Sequence, residues 1–534
     1  MHPPTRLSKA IPRAMRPILL ISSLFVALAG LAAEDAPLRT NILFLIADDW
    51  GHGHAGAYGC PWVKTPNFDR VAKEGLLFLN AYTPTAKCTP SRSTILTGRH
   101  PWLLGAAANH QCFFPPENEI FPDVLERNGY AYATCGKVWA PGLALKADGS
   151  KRNMIGQAFN RRVATPPATG MAKTDYAANF HDFMQQTKAG QPWFFWMGFH
   201  EPHRDYEEGS GLRLGKKLTD IDRVPAYWPD NAVVRGDMLD YALEVEHCDR
   251  HLGLILDELA KRGELDRTLI VVTSDNGMPF PRVKGSAYED ANHLPMAVRW
   301  PAGIKQPGRK VTDYVSFADF APTFLEVAGV AWPAKGLAPT SGRSLTDIFR
   351  SGVDGRCNPA RDHTLIGRER NDLGRPGDVG YPVRGIVKDG LAYLENCEPS
   401  RWPACNPETG YLDTDASPTK SFILHARREK GSDPSWSLCF GLRPGQELYD
   451  LSTDTDCVTN LASARTADIE KLRTQMWAEL KAQGDLRAIG RGAEYEAHPS
   501  ADTKKLRFYE RYMAGEAFEV TWVKKDDFEK EPLK

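Results

Sequence analysis

The sequence has almost no net charge: 66 Lys and Arg stand against 67 Asp and Glu, a balance of −1 over 534 residues. A chain so balanced has no long-range field with which to steer a polyanion, so nucleic acid is not expected as a partner. Past the N-terminal segment no apolar run reaches the length needed to span a bilayer, and no membrane anchor is expected. No internal repeat is present, so the length has to be filled by ordinary domains.

What is present begins with a leader. Arg6, Lys9, Arg13 and Arg16 precede an apolar run from Pro17 to Ala29, and Gly30, Ala32 and Ala33 follow before Glu34 and Asp35. That order reads as a secretory signal peptide over residues 1–33, too short to span a membrane and stay there. No cysteine lies near the cut, so a lipid-anchored start is not expected. The mature protein is expected to be soluble and periplasmic or secreted. Roughly 500 residues then remain, enough for one large α/β domain and a smaller one. Thirteen tryptophans could include sugar-stacking platforms, although packing is the expected role of most. Ten cysteines in an exported chain point to some disulfides, with Cys397 and Cys405 the best local pair.

Four apolar runs each end abruptly in polar residues. "NILFLIADDW" ends in Asp48 and Asp49, "AYATCGK" in Lys137, "WFFWMGFHEPH" in His200, and "TLIVVTSDNG" in Asp275 and Asn276. Runs of this kind, bounded by turn residues, read as strands buried on both faces. Helices are expected between them: one opened by Thr65-Pro66 and closed by Gly75, and a long one from about Met238 to Lys261. Such alternation predicts a mostly parallel central sheet flanked by helices, with ligands beyond the carboxyl ends of its strands. All four polar clusters fall at that edge. From about Tyr381 the pattern changes to a hairpin around Asp389-Gly390, then "ELYDLSTDTDCVTNLA" and a helix over 467–482. The expected division is a catalytic α/β domain over 34–380, an α+β subdomain with an antiparallel sheet over 381–490, and a charged tail over 491–534.

Asp48, Asp49, Asp275 and Asn276 offer only oxygen donors, which suit a hard cation, Ca²⁺ or Mg²⁺, rather than zinc. One such pair could equally cap a helix or bind Arg and Lys; two pairs on one sheet edge favour a metal. Lys137 and Lys284 could hold an anionic group and stabilise charge developing on it, and His200 could serve as a general acid. Cys88, in the polar stretch "CTPSRSTILTGRHP", is the candidate nucleophile and a further candidate metal contact. His110, His203 and Arg204 are candidate substrate contacts.

Taken together, these motifs resemble the type I sulfatases of the alkaline-phosphatase superfamily. The resemblance rests on Cys88-Thr89-Pro90-Ser91-Arg92, continued by Leu96-Thr97-Gly98-Arg99, on the two metal pairs, and on Lys137, His200 and Lys284 in order. It implies an alkaline-phosphatase-like fold and a calcium site. It also implies that Cys88 is oxidised during export, by a formylglycine-generating enzyme, to an aldehyde whose hydrate attacks sulfur, with Arg92 holding that residue. A sulfated carbohydrate is the implied substrate. "FHEPHR" and "SDNGMPFP" resemble the heparan N-sulfatase branch, whereas "GKVWAPG" is nearer in form to iduronate 2-sulfatases. A phosphonate or phosphodiester hydrolase of the same superfamily, or a non-catalytic glycan-binding relative, are the alternative readings. One departure stands out: the family's histidine one to three residues after the motif lysine is replaced by Val138, Trp139 and Ala140. His110, a Lys137 whose pKa is lowered by crowding from the metal and Lys284, or solvent hydroxide could take over the proton that histidine handles.

Overall fold

The computed structural model describes residues 39–332, 336–531 and 533. The leader assigned to 1–33 lies outside the described residues. Residues from Arg39 onward form one compact unit built on an eight-stranded sheet. In chain order its strands are β1 (Asn41–Ala47), β2 (Leu76–Phe78), β3 (Ala131–Gly136), β4 (Gln157–Ala158), β5 (Trp193–Gly198), β6 (Thr268–Ser274), β7 (Met296–Arg299) and β8 (Arg309–Val311). Across the sheet the order is β8-β2-β7-β6-β1-β5-β3-β4. Only β7 runs against the rest.

The four apolar runs are the adjacent strands β6, β1, β5 and β3. Leu43 and Leu45 of β1, Phe195 of β5 and Val272 of β6 enter one core. Ile42, Phe44, Trp196 and Val271 enter the other, on the opposite face. Because alternate side chains leave a strand on opposite faces and both faces are covered, these strands cannot show polar alternation. One face is covered by α1 (Pro66–Glu74) and the long α3 (Ala232–Lys261), the other by α2 (Cys88–Thr97) and α4 (Phe320–Val327). The long helix begins six residues before the expected Met238, because the Asn231 side chain accepts from the amides of Val233 and Val234 at 2.9 and 3.0 Å. Gly75 does end α1, for a reason of packing: a Cβ there would lie 1.9 Å from the Val298 carbonyl of β7.

A second, four-stranded sheet is antiparallel throughout: β9 (His363–Arg368), β10 (Val383–Lys388), β11 (Leu391–Asn396) and β12 (Gln446–Asp450). Asp389 and Gly390 both have positive φ, the geometry of a two-residue hairpin turn. Its first strand precedes Tyr381; "HTLIGR" is separated from β10 by a loop of turn residues that hides the pairing. Helix α5 (Thr466–Gln483) buries Ile469, Leu472, Met476 and Leu480 against Leu365, Ile386, Tyr393 and Leu448 of this sheet. The charged tail is packed as well: Phe508 and Val523 close over Cys405 and Leu412.

Among the described residues, which include every cysteine, the expected disulfides are absent. All ten cysteines are free thiols. Cys397 follows the end of β11, with its sulfur 3.9 Å from the Glu395 carbonyl of that strand. Cys405 is buried with its sulfur 3.5 Å from the Asp372 carbonyl, so the two thiols serve different segments.

Candidate active site

The functional side chains leave the sheet where its strands stop. Asp48 and Asp49 follow β1, Asp275 and Asn276 follow β6, Lys137 follows β3 and His200 follows β5. Backbone pairing runs just past the strand ends: the Lys137 amide donates to the Gly198 carbonyl at 2.8 Å, and the Asp275 amide to Ala47 at 3.2 Å. Gly198 permits this closeness, since a Cβ there would lie 1.7 Å from the Lys137 carbonyl. Asp49 takes a positive φ of 80°, rare for a residue with a side chain, and its amide donates to Asp275 Oδ1 at 3.1 Å.

Cys88 is the first residue of α2, a helix buried on every side. Its sulfur lies 3.5 Å from Asp48 Oδ1. One turn further, Arg92 clamps the sheet edge. Its Nε donates to Asp275 Oδ2 at 2.7 Å, and one terminal nitrogen donates to the carbonyls of Lys137 and Val138 at 2.7 and 3.1 Å. The other terminal nitrogen, 3.5 Å from Asp48 Oδ1, has no hydrogen-bond partner among the described residues. Lys137 Nζ donates to Asp48 Oδ2 at 2.6 Å, and Lys284 Nζ to Asp49 Oδ2 at 2.7 Å and Asp415 Oδ2 at 2.9 Å.

The charges set each other. Burial opposes ionisation of Asp48, but Lys137 and Arg92 outweigh it and hold the carboxyl well below its usual range. Asp275 goes the other way, to about 7, because burial outweighs Arg92. Burial also pushes the Cys88 thiol up, so the unmodified residue is a poor nucleophile. Lys137 is raised to about 12: burial favours its neutral form, and Asp48 more than offsets that.

The donors fit a hard cation. Asp48, Cys88 and Asp275 each present one ligand atom within 4.8 Å of the others, and Asp49, His203 and Asp415 form a second such group. Asn276 links the two: its Nδ2 donates to Asp49 Oδ1 at 2.6 Å, while its Oδ1 is buried with no partner among the described residues. An orphaned buried carbonyl on a side chain bonded to Asp49 is what an oxygen-seeking ion would satisfy.

Asp48, Lys137, Ala140, His200, His203, Arg204 and Glu244 line a cleft of about 530 Å³. Burial lowers the His200 imidazole's pKa, although Asp48 pulls it the other way. Arg204 is held from all sides: it grips Asp237 at 2.8 and 2.9 Å, donates to the Pro279 carbonyl at 2.9 Å and lies over Phe280 and Tyr206. His110 is outside the cleft lining, its Nδ1 3.3 Å from Asp372, whose other oxygen is 3.1 Å from Lys87. Trp139 turns away, donating to Ser93 Oγ at 2.8 Å, so Ala140 is what faces the cleft in that segment. Sequence reasoning missed Asp415, Asp372 and Lys87. The two aspartates sit in irregular loops with no strand-end pattern, and Lys87 differed from any other lysine only in preceding Cys88.

A mostly parallel sheet thus brings acidic pairs, two lysines and a helix-borne cysteine together at its carboxyl edge. Residues 40–330, more than half of the chain, match the family model described as Sulfatase. The chain belongs to that family and is an enzyme that removes sulfate groups. It is 27% identical to human N-sulphoglucosamine sulphohydrolase, over 82% of this chain and 89% of that one. It is 25% identical to an ulvan-active sulfatase of Formosa agariphila, over 80% and 72% of the respective chains. Among solved structures, a protein in complex with its substrate D-glucosamine-2-N,6-O-disulfate shares the fold at a TM-score of 0.54 and 20% identity, over 87% of this chain and 100% of that one.

Proposed function

We propose that the protein releases sulfate from a sulfated carbohydrate, as an O-ester or an N-sulfate, with formylglycine made from Cys88 as nucleophile and Ca²⁺ as cofactor. The observation that carries the reading is the convergence on Asp48 of Cys88, Arg92 and Lys137, with Lys284 on the neighbouring Asp49. The relatives that act on N-sulphoglucosamine and on ulvan support a sugar substrate.

Asp48, Asp49, Asp275 and Asn276 would hold the ion, whose charge would favour negative charge developing on the sulfate oxygens. Formylglycine would supply a hydrated aldehyde as the attacking group. The chain's own groups do the rest. Arg92 fixes residue 88 against the sheet edge. Lys137 and Lys284 offer charge-assisted hydrogen bonds to a bound sulfate. His200, on the cleft wall, gives a proton to the leaving oxygen or nitrogen. Export to the periplasm or beyond, and maturation by a formylglycine-generating enzyme, belong to the same proposal. The leader motif supports them, and no helix among the described residues is long and apolar enough to cross a membrane.

Peptide mass spectrometry of active, exported protein tests the nucleophile: an aldehyde at residue 88 is expected, and only cysteine there would refute it. A panel of sulfated mono- and oligosaccharides, with free sulfate as readout, tests the substrate. Turnover of an aryl phosphodiester with none of the sulfated sugars would instead favour the phosphodiesterase alternative.

A further inference from the structure

A small cavity of about 40 Å³ lies behind Lys284, where its loop meets the antiparallel sheet. That is room for about three water-sized spheres. Arg282, Lys284, Arg368 and Arg443 line it, against the carboxylates Asp413 and Glu447. Both carboxylates are already engaged. Asp413 accepts from Arg368 at 2.9 Å, Arg375 at 2.7 Å and the Asp372 amide at 2.8 Å. Glu447 accepts from Asn396 at 2.7 Å, Tyr288 at 3.1 Å and the Tyr449 hydroxyl.

One of the cations is less well served. Arg282 is 4% exposed, yet its terminal nitrogens donate only to the backbone carbonyls of Leu438 and Cys457. Among the described residues no carboxylate lies within ion-pair distance of it. Its Nε has no partner there, and neither do Arg368 Nε and the Tyr381 hydroxyl, all three buried on residues that line the cavity. Buried donors without acceptors mark a missing partner, and a buried guanidinium without a counter-charge is destabilising. Water would satisfy the donors but not the charge. A small anion does both, and a volume of about 40 Å³ suits a halide.

We propose that this cavity binds a halide-sized anion, chloride under ordinary conditions. The anion is the counter-charge of Arg282 and an acceptor for Arg368 Nε, and it braces the segment that carries Lys284 two residues on. The site is independent of the reaction at residue 88.

Thermal unfolding of the full protein in sodium chloride, compared with sodium gluconate at equal ionic strength, tests it. A saturable rise in Tm of several degrees is expected with chloride and bromide. Gluconate, too large to enter, gives none. Crystals grown in bromide should show an anomalous peak within hydrogen-bond reach of Arg282 Nε, Arg368 Nε and the Tyr381 hydroxyl. Tyr381→Phe, which removes one donor and keeps the ring, should raise the half-effective halide concentration several-fold and leave Tm in gluconate no lower. Coincident chloride and gluconate curves, or water alone in the cavity of bromide-grown crystals, would overturn the proposal.

Discussion

Ala140 shows what one missing side chain does to a reaction path. Its neighbour Trp139 is fixed to Ser93, and His110 is occupied by Asp372, so neither offers a free base to the cleft. Ala140 lies on the cleft wall with Asp48 and Lys137. Ala140→His would therefore place an imidazole on the cleft wall with Asp48 and Lys137. A positioned proton carrier is worth about 100-fold or more, so steady-state sulfate release should rise, by up to that factor, without a change in aldehyde content at residue 88. An unchanged rate would show that removal of this proton does not limit turnover. The absence was legible in the sequence. Which of Val138, Trp139 and Ala140 faces the cleft was not, because the turn of the indole depends on Ser93 in another element.

At the scale of elements, the close contact between β3 and β5 aims Lys137. Gly198→Ala would drive a methyl group into the Lys137 carbonyl, which is backbone and cannot yield cheaply. Overpacking of this kind costs roughly 1–3 kcal/mol, so Tm should fall and activity fall further as Lys137 moves. Gly236, inside α3 with open space at its Cβ position, is the contrast. Gly236→Ala should stabilise by about 0.5–1 kcal/mol through helix propensity alone, and leave activity unchanged. Thermal melts of both variants check the pair. The central strands were legible because a short apolar run that stops at a charge fits a strand buried on both faces and little else. The start of α3 was not: "NAVVRG" has little apolar period of its own, and Asn231 supplies the signal. The disulfide expectation failed because composition records how many cysteines there are, not which elements their sulfurs face.

For the molecule as a whole, the antiparallel sheet and α5 are fastened by a charge cluster that senses pH. His363, on β9, pairs through Nδ1 with Asp362 at 2.6 Å and through Nε2 with Glu479 of α5 at 2.8 Å, while Lys388 holds the other oxygen of Asp362 at 2.6 Å. Burial opposes the imidazolium, but the two carboxylates outweigh it and raise its pKa. Asp362 is lowered to about 2, against burial, by Lys388 and His363. A raised histidine adds stability that is complete below its unfolded value and is lost as pH rises through the folded one. The lowered carboxylates add stability above their own unfolded values and lose it in acid. Wild-type Tm should therefore decline between about pH 6 and 8, and His363→Gln should flatten that decline. Parallel slopes in the two proteins would remove His363 as the cause. None of this network was legible in the sequence, since its members come from three separate elements.

Cys88 itself sets an order of events. It is 2% exposed, at the head of a helix that is buried on every side, and Arg92 ties that helix to the sheet edge. Once α2 has docked, no second protein can reach the sulfur without undoing the core beneath it. Any enzyme that oxidises this residue must find it while the segment is still extended chain. Maturation and folding then compete in time. A chain that folds first is sealed with an inert thiol, so the active fraction of a preparation would record which process was faster rather than how well the protein folded.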